Sequence, residues 1–131
     1  MNVIRAEIKE IQSQESLALV HCSAQGEDFC ALILDYENMR NMTVGASVEL
    51  IFKEAEVMIA TEDSRVSARN SFVSEIKNIK QGVLLAQVEF DFHGIPVFAL
   101  ITRESSEELG LKVGESMRWF VKVNEISLRM V

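Results

Sequence analysis

The sequence has few cysteines and no recognisable metal-binding pattern. Only two cysteines occur among its 131 residues, Cys22 and Cys30. The turn-like residues between them would let them face each other across a hairpin, but without secretion signals free thiols are expected rather than a disulfide. Two lone cysteines without paired histidines also argue against a metal site.

Long apolar runs are also missing. The stretches FCALIL and VFALI end at strand length, well short of the ~20 apolar residues that a membrane-spanning helix needs. The charged N-terminus does not resemble a signal peptide. We therefore expect a cytoplasmic protein that has no membrane partner.

Basic residues are outnumbered, with 13 Lys and Arg against 20 Asp and Glu and a net charge of −7. Nucleic acids and anionic membranes require a broad basic surface, so neither is expected as a partner. A small local anion site remains compatible with this charge. Trp119 and Phe120 are expected in the core or an interface rather than as a base-stacking platform, since no basic stripe accompanies them.

The residue patterns of common enzymes are absent as well. The chain contains no glycine-rich phosphate loop and no nucleophile elbow. Glu107 and Glu108 are neighbours on one helix turn rather than an opposed acid pair, and His21 and His93 lie near turns without paired ligands. We expect a protein that is not an enzyme and uses no catalytic cofactor.

What the sequence does contain is an internal repeat. Shifting the chain by 68 residues superposes Asn2 on Asn70, the run Glu7-Ile8-Lys9 on its second copy, and Ala31-Leu32-Ile33 on Ala99-Leu100-Ile101. The shift then becomes 69, which places Lys53 on Lys122. A period of this length is too long for a solenoid and indicates a duplicated small domain. The expected domains are residues 1–63 and 67–131, joined near the polar segment TEDSRVS.

Each repeat has the pattern of a small β-barrel. Short stretches rich in Val, Ile, Leu and Phe alternate with glycine-containing turns. The predicted strands are 4–11, 17–22, 29–34, 47–52 and 57–60, and then 72–79, 84–90, 95–101, 116–121 and 126–130. A short helix should follow the third strand, with Thr102 as its cap and Gly110 as its stop. The predicted fold class is all-β, with two tandem OB-like five-stranded barrels, each with one short helix.

Barrels of this size are marginally stable. A domain of ~60 residues buries only about 60% of its unfolded surface. Packing between the two repeats and between chains is therefore expected to supply the missing stability.

Three motifs in the second repeat point to a known family. They are Ser67-Ala68-Arg69-Asn70 before the first strand, Thr102-Arg103-Glu104-Ser105 with Glu108-Leu109-Gly110-Leu111 at the helix, and Val121-Lys122 before the last strand. In this order and spacing they resemble the molybdenum-pterin binding (Mop) family, a molybdate-binding version of the TOBE domain. The first repeat keeps Lys53 but has only Met1-Asn2 and LDYENMRN at the other two places, so its motifs are degenerate.

The resemblance implies a tandem Mop protein that binds molybdate or tungstate for molybdenum storage or homeostasis. It also implies a homotrimer whose oxyanion sites lie at interfaces between barrels. The site residues that it implies are Ser67, Ala68, Arg69, Asn70, Lys122, Asn124, Thr102, Ser105 and Lys53.

Simple chemistry agrees with this assignment. Consecutive backbone N–H groups can surround a tetrahedral dianion, and Ala68 would allow their close approach. Arg69 offers a directed fork, Asn70 an amide donor and Lys122 a neutralising charge. Asn124 replaces the small hydroxyl residue that is usual in the family.

Each residue also has a simpler interpretation, and other functions remain open. Arg69 alone is typical of a solvated strand start, Lys122 of an edge-strand charge, and 102–110 of a well-capped helix.

The alternative function is a degenerate Mop module that serves oligomerisation or protein interaction without strong oxyanion binding. An OB-type nucleic-acid binder is the third possibility, and the net charge argues against it.

Overall fold

A computed structural model describes all residues, 1–131, and contains ten strands in two antiparallel sheets. The strands of the first repeat are β1 (Asn2–Gln14), β2 (Leu17–Ala24), β3 (Glu27–Ile33), β4 (Ser47–Phe52) and β5 (Met58–Ala60). Those of the second are β6 (Asn70–Gln81), β7 (Leu85–Phe92), β8 (Ile95–Thr102), β9 (Ser116–Val121) and β10 (Ser127–Met130). The helix α1 (Arg103–Leu109) follows β8, and 3-10 turns occupy Tyr36–Asn38, Glu54–Glu56 and Val123–Glu125. The helical segments are all far shorter than a membrane-spanning helix.

The two repeats exchange their last strands. One sheet has the order β10-β4-β1-β2-β3 and the other β5-β9-β6-β7-β8. Thus β10 pairs with β4 of the first repeat, and β5 pairs with β9 of the second. We expected each repeat to complete its own barrel with its own fifth strand, and this part of the expectation is wrong.

Two arginine side chains anchor the exchange. One pairs β10 with β4, and the other binds the linker that follows β5. Arg129 on β10 lies opposite Glu49 on β4, and its Nε donates to Glu49 Oε1 at 2.7 Å. Arg118 on β9 donates from Nη2 to the carbonyl of Glu62 at 2.9 Å and from Nη1 to Ser71 Oγ at 2.9 Å. The second arginine therefore fixes the linker that leads from β5 to β6.

A single core is shared by both repeats, because buried side chains from the two sheets form one cluster of 26 residues. Alternation of buried and more exposed residues along β7 and the first part of β1, residues 2–8, supplies the inward faces. The ring of Phe29 lies 4.5 Å from that of Phe72, and Phe52 stacks on Trp119 at 6.1 Å, so both contacts join different repeats. Trp119 is fully buried, and its Nε1 donates to Ser74 Oγ at 3.0 Å, as expected of a core residue rather than a platform.

The helix α1 is capped and ended by the residues that the sequence predicts. Thr102 caps α1 by accepting from the Ser105 backbone N–H at 3.0 Å, and Gly110 ends it with a φ of 63°.

Cys22 and Cys30 are free and buried, but Cys22 pairs with Phe29 and not with Cys30. A register offset of one residue puts them on opposite faces of the hairpin, so the two thiols do not face each other. Burial raises the pKa of the Cys22 thiol to about 11.

Candidate functional site

Residues 67–69, here called the β6 entrance, present a set of free donors. The β6–β9 ladder ends with the pair Asn70 and Val121. Arg69 precedes Asn70 and Lys122 follows Val121, so both lie at this end of the sheet. Both side chains are exposed, as is Ser67, while Ala68 is half-buried. None of the three backbone N–H groups at the β6 entrance donates to another backbone carbonyl. Consecutive free N–H groups beside two cationic side chains are the arrangement that binds a small anion.

Asn70 has a different role from the one predicted. Its side chain is fully buried, with Oδ1 accepting from the Cys30 backbone N–H at 2.7 Å. Its Nδ2 donates to the carbonyls of Cys30 at 2.9 Å and Val121 at 3.1 Å. Both amide N–H groups are thus used within the chain, so the prediction that this side chain donates to a ligand is wrong. The first-repeat counterpart, Asn2, makes the equivalent two hydrogen bonds with the backbone of Phe98.

Lys122 and Lys53 are brought together with two glutamates. Each lysine immediately precedes a 3-10 turn, and each turn ends in a glutamate, Glu125 and Glu56 respectively. Desolvation and then the nearby Glu56 carboxyl raise the pKa of Glu125, and the charges of Lys122 and Lys53 oppose that rise. We call these four residues the lysine–glutamate cluster.

A groove of about 250 Å³ runs along this cluster. Its lining includes Met1, Lys53, Glu56, Asn124 and Glu125. The predicted site residues Lys53 and Asn124 therefore share one groove, and Lys122 faces the same glutamate. The glutamates were not predicted, although the sequence carries a signal for them, since each lies three residues after a repeated lysine.

Thr102 and Ser105 lie in another groove, of about 460 Å³. It opens between β5 and β8 and is mostly apolar, with Ala55, Met58 and Leu109 among its lining residues. The two hydroxyls bond to each other at 2.9 Å in capping α1. Neither residue lines the groove of the lysine–glutamate cluster. Within one chain the predicted site is thus divided between two places.

The matching groove of the first sheet has a different lining. It measures about 320 Å³, lies between β3 and β10, and contains Leu34, Met39 and Asn124. Leu34 stands where the other groove has Thr102, because the repeats are offset by 68 residues there. This groove therefore lacks the hydroxyl pair, in agreement with the degenerate motif of the first repeat.

Comparison with known proteins identifies relatives of both the second repeat and the whole chain. The TOBE domain family matches residues 66–128. The molybdate/tungstate import ATP-binding protein WtpC of Pyrococcus abyssi (strain GE5 / Orsay) is 30% identical over 87 residues, or 66% of this chain. The match covers only 25% of that relative's length, so the chain spans about a quarter of it.

Two solved structures are similar. The cytoplasmic molybdate-binding protein ModG, in a form with molybdate bound, is 26% identical with a TM-score of 0.92, over 99% of this chain and 96% of that chain. MopII from Clostridium pasteurianum is 34% identical over 44% of this chain and 88% of that chain, with a TM-score of 0.43. The likeness to ModG extends over both repeats and confirms the predicted tandem barrels.

Proposed function

We propose that this chain is a member of the Mop family of TOBE-type domains, that it binds molybdate or tungstate, and that it serves as a store or buffer of the oxyanion. The observation that carries the proposal is the β6 entrance, where three free backbone N–H groups lie next to Arg69 and Lys122. A tetrahedral dianion needs several converging donors and compensating positive charge. This place on the chain offers both.

The binding of a small ligand, and not catalysis, accounts for these groups. The groove along the lysine–glutamate cluster contains Lys53 and two carboxylates, without a nucleophile held by a base. ModG, which is similar over nearly the whole chain, is described as a cytoplasmic molybdate-binding protein. We assign the same compartment and the same class of ligand to this chain.

Assembly would unite the divided site. The β6 entrance and the Thr102–Ser105 hydroxyls lie in different parts of one chain, so contact between chains is needed to bring them to one anion. We propose a homotrimer in which oxyanions lie at interfaces between barrels. The exposed apolar side chains of Val83, Leu84 and Val113 provide surface for such contacts.

A second candidate function is an interaction module that binds oxyanion weakly. It is favoured by one observation: the first repeat has Ala55 where the second has Asn124, and the Met1 ammonium that takes the place of Arg69 is ion-paired with Glu54. Half of the chain is therefore poorly equipped for an anion.

Equilibrium dialysis of the full chain with molybdate, tungstate, sulfate and a short oligonucleotide separates these functions. We expect binding of molybdate and tungstate, weaker binding of sulfate and none of the oligonucleotide. Absence of binding to every oxyanion would overturn the proposal in favour of the interaction module. Binding of the oligonucleotide alone would replace it with a nucleic-acid function.

A further inference from the structure

The linker that ends in the β6 entrance has little backbone structure of its own. Residues 61–69 connect β5 to β6, and within them the Ser64 N–H donates to the Thr61 carbonyl at 3.1 Å. No backbone N–H of residues 65–69 donates to a backbone carbonyl. These free groups suit an anion, but hydrogen bonds of the linker's own backbone do not hold them in place. Something outside the linker has to fix its path.

The side chain of Arg118 bridges the two ends of this linker. On β9 it lies opposite Ala60 of β5 on one side and Val73 of β6 on the other. Its Nε and Nη2 donate to the Glu62 carbonyl at 3.2 and 2.9 Å, and its Nη1 donates to Ser71 Oγ at 2.9 Å. One planar guanidinium therefore reaches both the point where the chain leaves the sheet and the point where it returns.

The linker has to turn back along the sheet between these two points. Ala60 lies level with Arg118, whereas Asn70 lies level with Val121, three positions further along β9. The chain must cover that distance in reverse before β6 begins. Since Glu62 is held at the start of this return, the bridge restricts where the β6 entrance can lie.

The first repeat does not have the bridge. Where the second repeat has Arg118, the first has Glu49, and where the second has Ser71, the first has Val3. Glu49 accepts a hydrogen bond from Arg129 instead. The bridge thus occurs in the repeat that carries the free N–H groups, and is missing from the repeat whose motifs are degenerate.

We propose that Arg118 is a positioning residue for the oxyanion, because its bridge from Glu62 to Ser71 holds residues 67–69 where their N–H groups converge. This inference rests on the proposed function and adds a residue to its site. Three guanidinium nitrogens already donate within the chain, so Arg118 acts through the linker and not by contact with the ligand. Without the bridge, ligand binding would have to order the linker. Ordering the backbone of even one residue lowers an affinity by about five- to thirtyfold.

The test compares the full-length parent with three variants. Arg118→Lys keeps the charge but loses the planar fork, and Ser71→Ala removes one end of the bridge. Arg129→Lys, the same change in the other anchoring arginine, is the matched control. Equilibrium dialysis measures molybdate affinity, and melting temperatures without ligand show that each variant is folded. Limited trypsin digestion, followed by mass spectrometry, measures cleavage after Arg65 and Arg69 and so reports linker mobility.

We expect Arg118→Lys to bind molybdate about five- to thirtyfold more weakly than the parent. Trypsin should cleave its linker faster, although the variant is folded at the assay temperature. Ser71→Ala should change both quantities in the same direction by a smaller amount. Arg129→Lys should match the parent in both.

Parental affinity in Arg118→Lys would overturn this inference and leave the proposed function standing. So would a weaker Arg118→Lys whose linker is cleaved no faster than the parent's, or an equal loss of affinity in Arg129→Lys. If Arg118→Lys does not fold, Ser71→Ala decides by the same two measurements. A parent that binds no molybdate would overturn the proposed function, and this inference with it.

Discussion

Asn2 and Asn70 each join the first strand of one repeat to the third strand of the other. Asn70 exchanges two hydrogen bonds with the backbone of Cys30, and Asn2 exchanges two with the backbone of Phe98, at 2.8 and 2.9 Å. Cys30 and Phe98 are themselves equivalent positions, 68 residues apart. The two contacts therefore repeat each other across an approximate twofold relationship between the repeats.

Replacing Asn70 with alanine should destabilise the protein strongly. The change leaves the Cys30 N–H and two carbonyls without their partner, and each unsatisfied buried group costs about 1–3 kcal/mol. We expect urea unfolding to show a loss of about 3 kcal/mol or more. Asn2→Ala should cost less, since its contacts are only partly buried.

Asn78→Ala is the matched control for both changes, because Asn78 is exposed on β6. Its effect should stay within about 0.5 kcal/mol. If Asn70→Ala were as stable as this control, the amide would be free to serve a ligand after all.

Lys122→Ala should separate ligand binding from folding. Lys122 is exposed, so its loss should change the ligand-free melting temperature little. A charge-assisted hydrogen bond contributes roughly 1.5–3 kcal/mol, so molybdate affinity should fall by about ten- to a hundredfold. Added molybdate should then raise the melting temperature of the variant much less than that of the parent.

Lys80→Ala provides the comparison, since Lys80 is equally exposed but lies near the far end of β6. Equal stabilisation of parent and Lys122→Ala by molybdate would remove this lysine from the site.

The assembly prediction concerns mass. A homotrimer of the 14.8 kDa chain should sediment as a species of roughly 45 kDa. Sedimentation velocity at micromolar concentration, with and without molybdate, measures it directly. A monomer under both conditions would contradict the trimer and leave Thr102 and Ser105 apart from the β6 entrance.

Isolated repeats should fail to fold as monomers. A chain of residues 67–131 alone would lack β5, which pairs with β9, and would leave its own β10 without β4. In a dimer of this fragment, β10 of each chain could pair with β9 of the other chain, in the place of β5. We therefore expect circular dichroism to show β-structure only at concentrations where sedimentation shows association. A folded monomer of this fragment would show that β10 can return to its own sheet.

Much of the fold was predictable from local pattern. The bounds of β4 and β9 were predicted correctly, because large apolar residues at alternate, buried positions end at clear polar breaks. The second-repeat helix was predicted at 102–110 and runs from Arg103 to Leu109, since its cap and stop are chemical signals. The short helix predicted for the first repeat is only the 3-10 turn Tyr36–Asn38, so that prediction is wrong. β1 is longer than predicted because its hairpin ladder continues through polar Gln12, Ser13 and Gln14.

The exchange of strands could not be predicted in this way. β5 and β10 occupy matching places in nearly matching repeats, so either sheet offers each of them a suitable edge. The choice depends on how the repeats pack, which no local pattern records. The role of Asn70 was missed for the same reason, since it depends on contacts with the other repeat.

The exchanged strands have a consequence for how the two halves can diverge. Each half completes the other's sheet, and the covalent linker between them sets an effective concentration on the order of millimolar. The chain is thus equivalent to an obligate one-to-one heterodimer whose two halves are covalently joined. Substitutions that remove anion-binding groups from one half are tolerated as long as that half still supplies its strand. A scaffold half and a ligand-binding half can therefore change separately while their stoichiometry stays constant.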